Sequence, residues 1–151
     1  MTTQTSELSI SAATGATPQK TFRQLINGLL DHIMSRLDLD TGTERHEQSY
    51  LMTANLLDAA SQMLDAYDRA EGHEIMPASS IFTVESGMWD QTDTLQRLAT
   101  EVGVTCSIRN NGKVTTVDLT SVERAKVRAF IDATINQSVA DLKNNETFES
   151  A

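Results

Sequence analysis

Apolar residues recur along this chain at two spacings, and the change from one to the other divides it. Phe22, Leu25, Ile26, Leu29, Leu30, Ile33, Met34 and Leu37 follow i, i+3, i+4, i+7, which gathers side chains on one face of an α-helix. Either Thr17 followed by Pro18, or Thr21 with Gln24 as a capping box, starts that helix, and the turn Asp38-Leu39-Asp40-Thr41-Gly42 ends it. A second helix is predicted from about 43 to 71, with Gly72 as its stop. It carries two adjacent stripes: Tyr50, Ala54, Leu57, Leu64 and Tyr67, then Met52, Leu56, Ala59 and Met63. The short connection predicts an antiparallel αα-hairpin. An apolar arc this wide needs cover on two sides, so the stripe of Met52, Leu56, Ala59 and Met63 is expected to face a partner or a second copy.

After a linker over 73–80 the pattern turns β-like. The run 81–84 is strand-prone, and a short helix is expected over about 93–102, capped by Asp90 or Thr92 and stopped by Gly103. Asn111-Gly112 predicts a type I′ hairpin. A two-residue loop there sets Asn110 opposite Lys113, Ile108 opposite Thr115 and Cys106 opposite Val117, with Val104, Cys106, Ile108, Val117 and Leu119 on one face. Thr120-Ser121-Val122-Glu123 predicts a capping box for a final helix with Val127, Phe130, Ile131, Thr134, Ile135, Val139 and Leu142 as its buried stripe. The fold class is therefore α+β: an N-terminal antiparallel αα-hairpin (18–72) followed by a small β-α-β-β-α unit with an antiparallel hairpin (80–145). Residues 1–17 are rich in Thr and Ser, with only Leu8 and Ile10 large and apolar, and are expected to be a flexible arm. The period-two spacing of Leu8 and Ile10 suits a strand added to another chain's edge.

Charge narrows the function. The chain has 151 residues and a net charge of −9, which disfavours direct nucleic-acid binding, where Lys and Arg contacts to phosphate dominate affinity. The acidity is concentrated: between Asp31 and Glu101 stand 14 acidic residues against Arg36, Arg45, Arg69 and Arg97, a balance of −10. From Val104 to Ile135 the five cations Arg109, Lys113, Arg124, Lys126 and Arg128 outnumber Asp118, Glu123 and Asp132, giving +2. Such asymmetry steers partners or orients subunits. No apolar run reaches the length of a membrane span and no secretory signal is read, so no membrane association is expected.

Candidate chemistry is sparse. His46-Glu47 and His73-Glu74 lack the second histidine four residues on, where Tyr50 and Pro77 stand, so the zinc-helix geometry fails. Counted from Asp38, an EF-hand would need Gly and Glu where Thr43 and Ser49 stand. Cys106 is the single cysteine, which excludes an intramolecular disulfide, and inward placement would leave its thiol inert. No phosphate loop or nucleophile elbow is present. The expectation is a protein that is not an enzyme and carries no metal or cofactor. Met88-Trp89, holding the only tryptophan, is a candidate contact for a partner.

The stretch 81–145 also resembles an uncharacterised α+β domain of phage tail-fibre assembly and tail-associated proteins. The resemblance rests on Asp93 to Arg97 as a D-x-x-x-R helix element, on Asn111-Gly112, on Val114-Thr115-Thr116-Val117-Asp118-Leu119-Thr120 leading into a long helix, and on the spacing of Val127, Ile131 and Val139. The chain departs from it in lacking an aromatic at the start of the first hairpin strand, and the N-terminal hairpin lies outside it. The resemblance implies a phage virion or tail-assembly protein acting through contacts with other virion or tail proteins. It would form a homo-oligomer and reside in the host cytoplasm during assembly and then in the virion. The acidic balance offers an alternative, a phage-encoded inhibitor of a host defence or nucleic-acid enzyme.

Overall fold

The second of the two possible starts for the first helix is the one realised. Thr21 N–H donates to Gln24 Oε1 at 3.0 Å while Gln24 N–H donates to Thr21 Oγ1 at 3.1 Å, the reciprocal capping box, and helix α1 (Phe22–Asp38) follows. The computed structural model describes residues 21–38, 44–86 and 89–150. Its further elements are α2 (Glu44–Arg69), β1 (Ile81–Glu85), α3 (Thr92–Glu101), β2 (Ser107–Asn110), β3 (Val114–Asp118) and α4 (Arg124–Ser150). The α+β architecture expected from the sequence is the one observed: α1 packs on α2, and a β-α-β-β-α unit follows.

One hydrophobic core, running from Ile26 to Leu142, joins α1 and α2 to the β-α-β-β-α unit. Helix α2 packs on α1 and, more extensively, on α4, and it also meets β1. That sandwiching explains its broad apolar arc. Helix α1, with its cleaner stripe, buries Ile26 and Ile33 completely and leaves Met34 exposed. Side chains tie α1 down at the surface: Arg23 reaches Asp65 at 2.8 Å and Asp68 at 3.4 Å on α2, and Arg128 of α4 lies over the Phe22 ring.

The three strands form an antiparallel sheet in the order β1-β3-β2. Phe82, Val84, Ile108, Thr115 and Val117 are buried on one face. The expected hairpin register is corrected by two residues: Ile108 pairs with Val117 and Asn110 with Thr115. The cause is local. Asn111 does not adopt the positive φ that a type I′ loop demands, whereas Gly112 does, at φ 96°. Asn111 Oδ1 accepts instead from the N–H groups of Lys113 and Val114, each at 2.9 Å, and Asn110 Oδ1 accepts from Gly112 N–H at 2.7 Å. The two-residue loop is therefore Gly112-Lys113, closed by Asn111 N–H to Val114 C=O at 3.2 Å. A shift of two preserves which side chains share a face, so the inward set survives although its pairs change.

The start of α4 is the second correction. Helix α4 begins at Arg124, not at Thr120. The residues expected as a capping box are held by the linker: Ser121 N–H donates to Met76 C=O at 3.0 Å, Met76 N–H to Val122 C=O at 2.8 Å and Arg124 N–H to Glu74 C=O at 2.9 Å. Glu123 pairs with Ile75 in an isolated bridge, and Ser121 takes φ 71°. These long-range backbone bonds prevail over local capping chemistry, and the helix starts only after they end.

Candidate functional site at an open sheet edge

The residues singled out in the sequence do not converge. Leu56, Ala59 and Met63 are fully buried within the chain, where α2 packs on α4 and β1 as well as on α1. The partner role expected of that stripe is thus replaced by a role in the chain's own core. Met52 is half-buried, and its C=O accepts from Gln91 Nε2 at 2.9 Å. Trp89 is half-buried; its C=O accepts from Asn55 Nδ2 at 2.7 Å and its N–H donates to Ser86 C=O at 3.0 Å. That anchors the approach to α3 against α2. Leu8, Ile10 and Met88 lie outside the described residues.

Cys106 is half-buried just before β2. Burial, with a smaller contribution from the nearby Asp118 carboxylate, pushes its thiol up to about 11. The thiolate is the reactive form, so this thiol is a poor nucleophile near neutral pH.

The sheet is where groups remain unfilled. Opposite its buried face it presents Ile81, Thr83 and Glu85 of β1, Thr116 and Asp118 of β3, and Ser107 and Arg109 of β2. The register sets Thr83, Thr116 and Arg109 in one row and Ile81, Asp118 and Ser107 in the next. Asp118 is held below the usual carboxylate range, first by its hydrogen bonds with Thr120 and then by the charge of Arg109. Two bonds fix the phase of the β1–β3 ladder: Ser86 N–H to Lys113 C=O at 3.0 Å and Leu119 N–H to Ser80 C=O at 2.7 Å. In an antiparallel pair the peptide groups alternate between partner and outside. Residues Phe82 and Val84 therefore bond to β3, and the peptide groups of Ile81, Thr83 and Glu85 point outward.

No strand among the described residues lies on that outer side. Ile81 N–H is occupied by Ser79 C=O at 2.9 Å. The carbonyl of Ile81 and both groups of Thr83 and Glu85 remain open. Ile81 is 47% exposed at the same edge. Proteins commonly blunt such an edge with Lys, Pro or a bulge; the sequence Ile81-Phe82-Thr83-Val84-Glu85 has only the terminal glutamate. The other edge, β2, is shorter and is met by α3. The run 81–84 is legible in the sequence as a strand but not as an edge, because edge status follows from the β1-β3-β2 order, a product of long-range pairing.

No protein-family model, curated protein or solved structure matches this chain. Among the described residues, no helix is long and apolar enough to cross a membrane.

Proposed function

We propose that this chain is a non-enzymatic assembly protein that holds other protein chains by strand addition at the outer edge of β1. The observation that carries the proposal is the row of open peptide groups at Ile81, Thr83 and Glu85 beside an exposed isoleucine. Strand addition supplies affinity through main-chain bonds and specificity through alternate side chains. The segment of this sequence with the matching alternation is Leu8-Ser9-Ile10, so the occupant is the N-terminal arm of a neighbouring copy. Leu8 and Ile10 would share one face of the added strand, beside Ile81. Phage tail assembly is the setting supported by the resemblance over 81–145.

Energetics set the character of the contact. Ordering about five residues costs about 5–10 kcal/mol at 1–2 per residue. A few edge hydrogen bonds at about 1 kcal/mol each, with burial of Leu8 and Ile10 at about 1.5–3 kcal/mol each, return a similar amount. One arm on one edge is therefore weak, and the contact persists where many copies are held side by side. Light scattering across a concentration series tests this. The full chain should self-associate reversibly as concentration rises, and a chain lacking residues 1–16 should stay monomeric while folding normally. Equal association with and without the arm would refute the reading.

A further inference from the structure

A reactive pair sits in the loop between β2 and β3. Asn111 and Gly112 are both exposed, and nothing lies within 4 Å of the place where a Cβ on Gly112 would stand. A side-chain carboxamide followed by an unhindered glycine amide can close on itself. Gly112 N gives up its proton and bonds to Asn111 Cγ. The Cγ–Nδ2 bond breaks, and the side-chain nitrogen leaves with a proton as ammonia. Water then opens the cyclic imide at one of its two carbonyls. Opening at Cγ leaves an aspartate at position 111. Opening at the main-chain carbon leaves an isoaspartate, whose backbone runs through Cβ and Cγ and is one carbon longer.

The two products differ in consequence. Asn111 Oδ1 accepts from the N–H groups of Lys113 and Val114, each at 2.9 Å, and an aspartate carboxylate can accept the same two bonds. An isoaspartate lengthens the loop that sets the register of β2 on β3.

The folded loop opposes the first step. The amide nitrogen is planar, and in the imide Cγ stands where the hydrogen of Gly112 N–H stood. That direction is taken: Gly112 N–H donates to Asn110 Oδ1 at 2.7 Å. Ring closure must therefore displace the Asn110 carboxamide, and a deprotonated Gly112 nitrogen would face the negative end of its carbonyl dipole. Asn110 is pinned in turn. Its Nδ2 donates to Thr115 Oγ1 at 2.8 Å and to Ser86 Oγ at 3.0 Å, and both of these residues are buried. Ser86, Asn110 and Thr115 thus end the apolar face of the sheet with a polar cluster that fixes one carboxamide against Gly112. We propose that Asn111-Gly112 is a self-modification site restrained by Asn110. The pair is protected while the Asn110 carboxamide holds Gly112 N–H, and it deamidates when the hairpin opens.

The test is incubation of the full chain in warm, mildly alkaline buffer, with peptide mapping by mass spectrometry to follow aspartate and isoaspartate at position 111. The folded chain should deamidate there at least a hundredfold more slowly than the same chain in urea. Asn110→Ala should raise the folded-state rate at least tenfold. Asn110→Asp keeps an acceptor for Gly112 N–H and should stay within about threefold of the wild-type rate. Exchange of Asn111 N–H, which closes the loop on Val114 C=O at 3.2 Å, reports opening, and in Asn110→Ala it should rise less than deamidation does. The proposal is overturned by equal rates in the folded and urea-unfolded chain, by a folded Asn110→Ala variant no faster than wild type, or by an Asn110→Asp variant as fast as Asn110→Ala. A rise in Asn111 N–H exchange that matches the rise in deamidation would overturn it too, by assigning Asn110 to hairpin stability alone. If Asn110→Ala does not fold, the urea comparison and the rate of Asn110→Asp against wild type decide.

Discussion

The helical layer and the sheet of this protein solve the same problem to different extents. Helix α2 begins with more apolar surface than one neighbour can cover, and α1, α4 and β1 together bury it. The sheet buries Phe82, Val84, Ile108 and Val117 on one face but leaves the opposite face and the outer edge of β1 unfilled. The broad apolar arc of α2 is thus not the mark of a binding surface, since α1, α4 and β1 of the same chain bury it. The unspent groups are main-chain ones, and burial of side chains does nothing to satisfy them.

The change with the largest expected effect attacks the closed layer. Leu56→Glu puts a charge where the native side chain is fully buried and should cost more than about 4 kcal/mol. Met63→Glu should act alike. Denaturant melts would show collapse of the cooperative transition; a folded, cooperative Leu56→Glu protein would mean that this face of α2 is free. Next comes the inner register of β1. Val84→Pro removes both a buried side chain and a ladder hydrogen bond, and should cost about 3 kcal/mol or more. Retention of wild-type stability would invalidate the assignment of inward and outward peptide groups.

These two predictions mark how far the sequence could be read. The α1 capping box, both long helices, the strand runs and the inward face of the hairpin were legible, because cap chemistry and side-chain period are local. The fate of Met52, Leu56, Ala59 and Met63 was not. A second stripe on α2 looks the same in sequence whether α4 or another chain covers it. The hairpin loop was read one position early because the Asn111 side chain bonds to Lys113 and Val114 rather than leaving Asn111 in the left-handed region. The start of α4 was misplaced because the backbone of Glu74 and Met76, some fifty residues away in sequence, claims Ser121 to Arg124. A polar cleft lined by Gln91, Arg97, Gln137, Asp141 and Asn145 had no sequence signal, since these residues look like ordinary polar surface until α3 and α4 bring them together.

Smaller effects sharpen the contrast. Cys106, raised to about 11, should react with iodoacetamide at pH 8 about a hundredfold more slowly than an ordinary cysteine of pKa near 9, because reactivity follows the thiolate fraction. Rapid labelling of the folded protein, followed by mass spectrometry, would show that the thiol is not held in its neutral form.

Smallest of all is Asp58, half-buried on α2, whose carboxyl is raised first by burial and also by the nearby Glu85 charge, against the Gln62 hydrogen bond. A raised acid favours the folded state most below its unfolded pKa, and that advantage is lost as pH rises through the folded value. Asp58→Asn should therefore stabilise the protein slightly at pH 7, and the gain should vanish on acidification below pH about 4. Thermal melts at the two pH values give the comparison; a gain that grows on acidification would reverse the sign assigned to Asp58.

The central claim, that the open peptide groups of β1 hold another chain, is tested most directly by Thr83→Pro. The Thr83 N–H points away from β3, so proline there removes a donor from the open edge without breaking the ladder, the position at which edge strands tolerate it. Sedimentation of the full chain and the variant, with circular dichroism to confirm folding, is the measurement. The account predicts that the wild-type chain associates with rising concentration and that the folded Thr83→Pro variant remains monomeric. A folded variant that associates as the wild-type does, or a wild-type chain that stays monomeric throughout, would contradict it.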